Sequence, residues 1–128
     1  MTAPATTFIY RHVKVGIVTE EPVELIDITE NVEALISDVD MRDGFVHLQS
    51  PHVTTAIVLN EGDVLRIRPA VSLEVADGRL KLQSNERALL VESDGPRARE
   101  MTVILIGLAN VEDAEWSEAP PQVEELLQ

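Results

Sequence analysis

With 128 residues, 23 Asp and Glu against 10 Lys and Arg, and no cysteine, the chain is expected to form one acidic domain, and disulfides, thiolate zinc sites and a Cys nucleophile are excluded. A fold of this size removes roughly two thirds of the unfolded surface from water, enough for a core without staples. A formal charge of −13 repels phosphate backbones, and the aromatics (Phe8, Tyr10, Phe45, Trp116) are too few for a base-stacking platform. The longest apolar run, Val103 to Ala109, falls far short of the roughly twenty residues of a spanning helix, and no apolar leader core follows a basic start. The expectation is a cytoplasmic protein with neither nucleic acid nor membrane as partner.

In chain order, Thr7 to Thr19 is β-branched and aromatic with rough alternation, the pattern of a strand ended by Glu20-Glu21-Pro22. Val32, Leu35, Ile36 and Val39 recur at helical spacing with acids between them. Asp27 or Thr29 is the candidate cap, and Asp40 to Gly44 the exit turn. From Gly44 the period becomes two. Phe45 to Gln49 and Thr54 to Leu59 read as strands, the second apolar on both faces and therefore central. Asp77-Gly78 predicts a two-residue hairpin with Ala76 opposite Arg79, Val75 opposite Leu80, and Glu74 opposite Lys81. A second hairpin is expected at Glu92 to Arg97. Its return strand is apolar on both faces from Val103 to Leu108, so it needs cover from the helix or another subunit. The chain thus divides into a domain over 1–109 and an acidic tail over 110–128, read as mobile with a short docking helix.

Charge is uneven. Residues 20–43 hold nine acids and one base, and residues 110–128 hold six acids and none. Residues 61–99 balance at seven against seven, so an anionic small molecule is best sought there. Two stretches could carry chemistry. Ser50-Pro-His52-Val-Thr54-Thr-Ala-Ile-Val-Leu-Asn60-Glu61 brackets an apolar strand with an imidazole, hydroxyls, an amide and a carboxylate. The same residues also read as an ordinary strand with a turn at each end. Extended chain from His52 to Asn60 would span roughly 26 Å, so one site using both needs a bent strand or two subunits. Asp94-Gly95-Pro96-Arg97 is either a solvated turn or a rigid mount for an Arg that receives phosphate or carboxylate. His12 and His47 read as strand residues, with no second ligand at metal spacing.

Taken together, Ile26-Asp-Ile-Thr29 with Val32, Gly44, Pro51-His52 with Thr54-Thr55-Ala56-Ile57, Asn60-Glu61, Asp77-Gly78-x-Leu80, and Glu92-x-Asp94-Gly95-Pro96-Arg97 with Gly107 resemble, in order, the YjbQ family of secondary thiamine-phosphate synthase-like proteins. The resemblance spans about residues 8–109. It implies an α+β fold, mostly antiparallel sheet with one main helix, assembled as a β-rich homotrimer that would cover the doubly apolar strand. It also implies condensation of a pyrimidine diphosphate with a thiazole phosphate. By matching position, His52 and Glu61 would be catalytic, while Thr54, Asn60, Glu92, Asp94, Gly95 and Arg97 would bind a phosphorylated small molecule. The resemblance leaves the cofactor open, with a divalent metal, Mg²⁺ or Zn²⁺, as the option; departure of diphosphate usually calls for Mg²⁺, which Glu61 or Glu92 could help bind.

The chain also departs from the family pattern. Only Gly62 to Val71 lies between Glu61 and Ser72, where family members carry a longer segment with a second site His, and no His follows His52. The Leu-Gly-x-Trp-Gln word before the last hairpin has become Leu82-Gln-Ser-Asn-Glu86. The competing reading from another class is a noncatalytic homotrimer that binds a small anion or a partner. A third is recruitment of a basic partner by the acidic tail.

Overall fold

The computed structural model describes residues 5–61, 64–111 and 123–127, with residues 61, 64–66 and 123–127 described by their backbone alone. Among the described residues, ten strands and one helix follow the order β1 (Ala5–Val18), β2 (Glu24–Asp27), α1 (Thr29–Asp38), β3 (Met41–Gln49), β4 (Thr55–Glu61), β5 (Val64–Arg68), β6 (Ala70–Ala76), β7 (Arg79–Leu80), β8 (Arg87–Glu92), β9 (Ala98–Val111) and β10 (Val123–Leu127). They form a six-stranded sheet, β10-β1-β9-β3-β6-β7, and a four-stranded sheet, β2-β8-β4-β5. All pairs are antiparallel except β1 with β10, so the α+β, mostly antiparallel architecture is as expected.

Period-two patterning explains the layering. Val13, Val15, Met101, Val103, Leu105, Val46 and Leu48 line the inner face of the large sheet, and Ile57, Ala88 and Leu90 that of the small one. With Val32, Leu35 and Ile36 of α1, which lies against β3, β7 and β8, they form one core. Asp27 Oδ1 accepts the Thr29 amide at 3.0 Å, and Thr29 turns inward, its Oγ1 accepting the Ala88 amide at 2.8 Å. Both cap candidates therefore act at the helix start, but the capping position itself is Ile28, which is buried.

The Asp77-Gly78 hairpin has the expected register, Val75 opposite Leu80 and Ala76 opposite Arg79, with Lys81 bridging Glu74 at 3.3 Å. β4 is central in the small sheet, between β8 and β5, and both Ile57 and Val58 are buried.

Three expectations are corrected. The exit turn of α1 is shorter than predicted, because Asp40 reverses the chain at φ 53° and β3 already begins at Met41. Glu92 to Arg97 does not join a hairpin: β8 pairs with β2 and β4, β9 pairs with β1 and β3, and the segment crosses from one sheet to the other. In the tail, Val123–Leu127 is a strand parallel to β1 instead of a helix, and β9 runs past 109 to Val111. Trp116 and Pro120-Pro121 lie outside the described residues. Among the described residues, no helix is long and apolar enough to cross a membrane.

Candidate functional site

The crossover from β8 to β9 is built on a buried ion pair. Ala88, Leu90 and Glu92 alternate inward along β8, as Arg99, Met101, Val103 and Leu105 do along β9, so a carboxylate and a guanidinium enter the core in phase with apolar neighbours. Arg99 Nε donates to Glu92 Oε1 at 2.8 Å and Nη2 donates to Oε2 at 2.9 Å, a two-pronged contact between side chains 7% and 0% exposed. Thr19 Oγ1 donates to Glu92 Oε1 at 2.8 Å, and the Asp94 amide leans on Oε2 at 3.4 Å. The hydrogen bonds from Arg99 and Thr19 outweigh the desolvation of the carboxylate and hold Glu92 down at about 2.

Over this pair, residues 93–97 are fastened to the segment after β1. The Thr19 amide donates to the Arg97 carbonyl, the Arg97 amide to Thr19 Oγ1, both at 2.8 Å, and the Gly95 amide to the Pro22 carbonyl at 3.1 Å. A Cβ on Gly95 would come within 2.3 Å of the Glu21 carbonyl oxygen and 2.8 Å of Thr19 Oγ1, so this seat takes only glycine. Arg97 is exposed yet held: Nε donates to the Asp94 carbonyl at 3.0 Å and Nη2 to Asp94 Oδ2 at 2.9 Å.

The turn before β4 docks on the same segment. Ser93 donates to the Thr54 carbonyl from both its amide (3.0 Å) and its hydroxyl (2.7 Å). Arg99 Nη2 donates to Thr54 Oγ1 at 2.7 Å, and the Glu100 amide donates to His52 Nε2 at 3.1 Å. Behind the turn, the buried hydroxyls of Ser50 and Thr55 bond each other.

His52, Thr54, Glu92, Asp94, Gly95 and Arg97 thus gather at one end of the small sheet. Asn60 and Glu61 stand at the other end of β4, where Asn60 faces Arg87 on β8 and Leu65 on β5. The five steps from Thr55 to Asn60 cover roughly 17 Å of extended strand, so the two groups do not meet within one chain. Glu92 as a Mg²⁺ ligand is also corrected: it is buried, and both oxygens are committed to Arg99, Thr19 and the Asp94 amide. Among the described residues, no three His, Asp or Glu side chains are grouped to hold a metal.

Sequence reasoning missed Arg99 and Thr19. Their signal was parity, since each continues the inward series of its segment, Ile17 to Thr19 and Arg99 to Met101, and a polar residue in such a series needs a partner.

The model of the family described as UPF0047 protein YjbQ-like matches residues 13–68. A UPF0047 protein of Archaeoglobus fulgidus is 32% identical over 120 residues, covering 66% of this chain and 93% of that protein. The span exceeds what two thirds of this chain can supply, so the relative carries positions with no counterpart here. In fold, the chain is similar to a YbjQ-like protein of unknown function from Sulfolobus solfataricus, at TM-score 0.71 and 24% identity, over 79% of this chain and 99% of that one. It is also similar to a conserved hypothetical protein from Thermus thermophilus, at TM-score 0.57 and 26% identity, over 70% and 96%. With the motif order, the shared architecture and the archaeal relative in agreement, this chain belongs to the UPF0047 YjbQ-like family.

Proposed function

We propose that this chain is a homotrimeric binding protein for a small oxyanion, received by the His52–Thr54 turn and the Asp94–Arg97 loop. The observation that carries this reading is which hydrogens are left over. His52 Nε2 accepts the Glu100 amide, so the neutral ring keeps its proton on Nδ1. Thr54 Oγ1 accepts from Arg99, which leaves its own hydroxyl hydrogen to give. Arg97 spends Nε and one Nη2 hydrogen on Asp94 and retains the donors of Nη1. A half-buried imidazole, a hydroxyl and a guanidinium, each with a donor to offer, match the oxygens of phosphate or carboxylate. The balanced charge of residues 61–99 supports the same choice in an otherwise acidic protein.

The test is calorimetric titration with inorganic phosphate and pyrophosphate. Arg97→Ala is expected to weaken binding about 10- to 100-fold, the value of a charge-assisted hydrogen bond, and His52→Ala less. Absence of binding, or equal affinity in all three proteins, overturns the reading. Turnover of a pyrimidine diphosphate with a thiazole phosphate, abolished by His52→Ala, would replace it with the synthase-type reaction that the family resemblance implies.

Trimer formation is supported by the outer face of the large sheet. Phe8 opposite Leu108 and Phe45 opposite Ile106 are all exposed in the single chain. Sedimentation at monomer mass at micromolar concentration would refute it.

A further inference from the structure

Arg99 carries more hydrogen-bond donors than the protein uses. A guanidinium holds five N–H hydrogens in one plane. Nε gives its single hydrogen to Glu92 Oε1 at 2.8 Å, and Nη2 gives its two to Glu92 Oε2 at 2.9 Å and Thr54 Oγ1 at 2.7 Å. The hydrogens of Nη1 meet no acceptor among the described residues. Yet among the same residues no buried side-chain nitrogen or oxygen goes unpartnered, so Nη1 reaches solvent, on a side chain only 7% exposed.

The plane of the guanidinium fixes where that opening lies. Glu92 takes the side edge, formed by Nε and the nearer hydrogen of Nη2. Thr54 Oγ1 therefore sits on the end edge, where the second hydrogen of Nη2 and one hydrogen of Nη1 run side by side. An oxygen received by Nη1 on that edge lies next to Thr54 Oγ1. The Thr54 hydroxyl hydrogen, left over because its oxygen accepts from Arg99, can turn to the same oxygen. His52 is tied in from the next position on β9, where the Glu100 amide holds its Nε2 at 3.1 Å. Arg97 is linked to this group through backbone: Ser93 holds the Thr54 carbonyl, and the Arg97 side chain, 57% exposed, is drawn back to Asp94. An apolar pair would seal the joint between the sheets at no greater cost than Glu92 and Arg99, whereas only a guanidinium presents hydrogens outward from within it.

Resting on the oxyanion reading, we infer that Arg99 is the inner ligand of that site, with its Nη1 and the Thr54 hydroxyl donating to one oxygen of the bound oxyanion. Arg97 then serves the outer oxygens. Because Glu92 grips the guanidinium from behind, these hydrogens are aimed before the anion arrives, and little conformational freedom is lost on binding.

Inorganic phosphate titrated into the full chain, with its arginines isotopically labelled for nuclear magnetic resonance, tests this against sodium chloride at matched ionic strength. The expected result is that phosphate, and not chloride, shifts the Arg99 Nη1 proton signals, identified by their proximity to Thr54. In calorimetry Arg99→Lys, which keeps a charge for Glu92 but has no planar fork, should bind phosphate about tenfold more weakly, its fold verified by circular dichroism. No binding of phosphate to the native chain defeats the oxyanion reading itself. Phosphate binding that leaves the Arg99 signals unmoved, or that a folded Arg99→Lys retains in full, defeats the inner ligand alone and returns the site to Arg97. Should Arg99→Lys fail to fold, the shift measured on the native chain decides.

Discussion

Replacing Glu92 by Gln probes the joint between the two sheets. The substitution keeps the shape of the side chain and removes its charge, leaving the Arg99 guanidinium, 7% exposed, without a counter-ion. At an effective dielectric constant of about 20, unit charges about 4 Å apart interact by about 4 kcal/mol. Breaking one side of a buried pair typically costs about 3–5 kcal/mol. For a domain of this length that corresponds to a fall in Tm of roughly 10–20 °C. The pH dependence gives a second signature. Glu92 sits at about 2 in the folded chain against 4.5 ordinarily, so its stabilisation is complete above about 4.5 and drains away as pH falls towards about 2. Gln does not titrate. Urea unfolding of both proteins between about pH 6 and about pH 3 should therefore show a gap that narrows on acidification. A loss below about 1 kcal/mol at neutral pH, or a gap constant across that range, would refute the claim that this pair is a desolvated, charge-dependent joint.

Other substitutions grade the remaining structure. Thr29→Val keeps volume but leaves the buried Ala88 amide without its acceptor, so chemical denaturation should register a loss of about 1–3 kcal/mol. Gly107→Ala places a Cβ 2.2 Å from the Asp43 carbonyl oxygen and 2.7 Å from Gly44 Cα at φ +156°; a cost of at least about 2 kcal/mol is expected by the same measurement. Lys81→Ala breaks the bridge to Glu74, whose partners are 68% and 52% exposed, and should shift stability by less than about 1 kcal/mol, a loss that shrinks further in high salt.

Where local chemistry dictated structure, the sequence was legible. Asp77-Gly78 needs φ > 0 at both positions, and once the turn is fixed the register of β6 and β7 follows arithmetically. The i, i+3, i+4 stripe of Val32, Leu35 and Ile36 likewise specified the buried face of α1. The crossover from β8 to β9 misled because two strands joined by a turn-rich segment usually pair, and nothing local to Ser93–Arg97 says that β8 finds its neighbours in β2 and β4. Its geometry is decided by tertiary bonds to Thr19 and Pro22, more than seventy positions away. The same blindness put the weight on Arg97, conspicuous in its motif, over Arg99, whose burial is written only in the alternation of a long strand. In the tail, Val123, Leu126 and Leu127 fit a short amphipathic helix as readily as a strand, and the β1 edge settles the matter by offering a parallel ladder.

β4 keeps its two polar ends apart like the jaws of a fixed spanner, and that has a kinetic corollary. Chemistry that recruited both His52 and Asn60 would belong to the assembly and not to the polypeptide, because no rotamer change crosses a rigid central strand. Specific activity would then be constant at high concentration, collapse on dilution through the dissociation range, and return when chains carrying only His52→Ala are mixed with chains carrying only Asn60→Ala. Simple oxyanion capture at the His52 end would be indifferent to dilution, which makes concentration itself a cheap discriminator between the two.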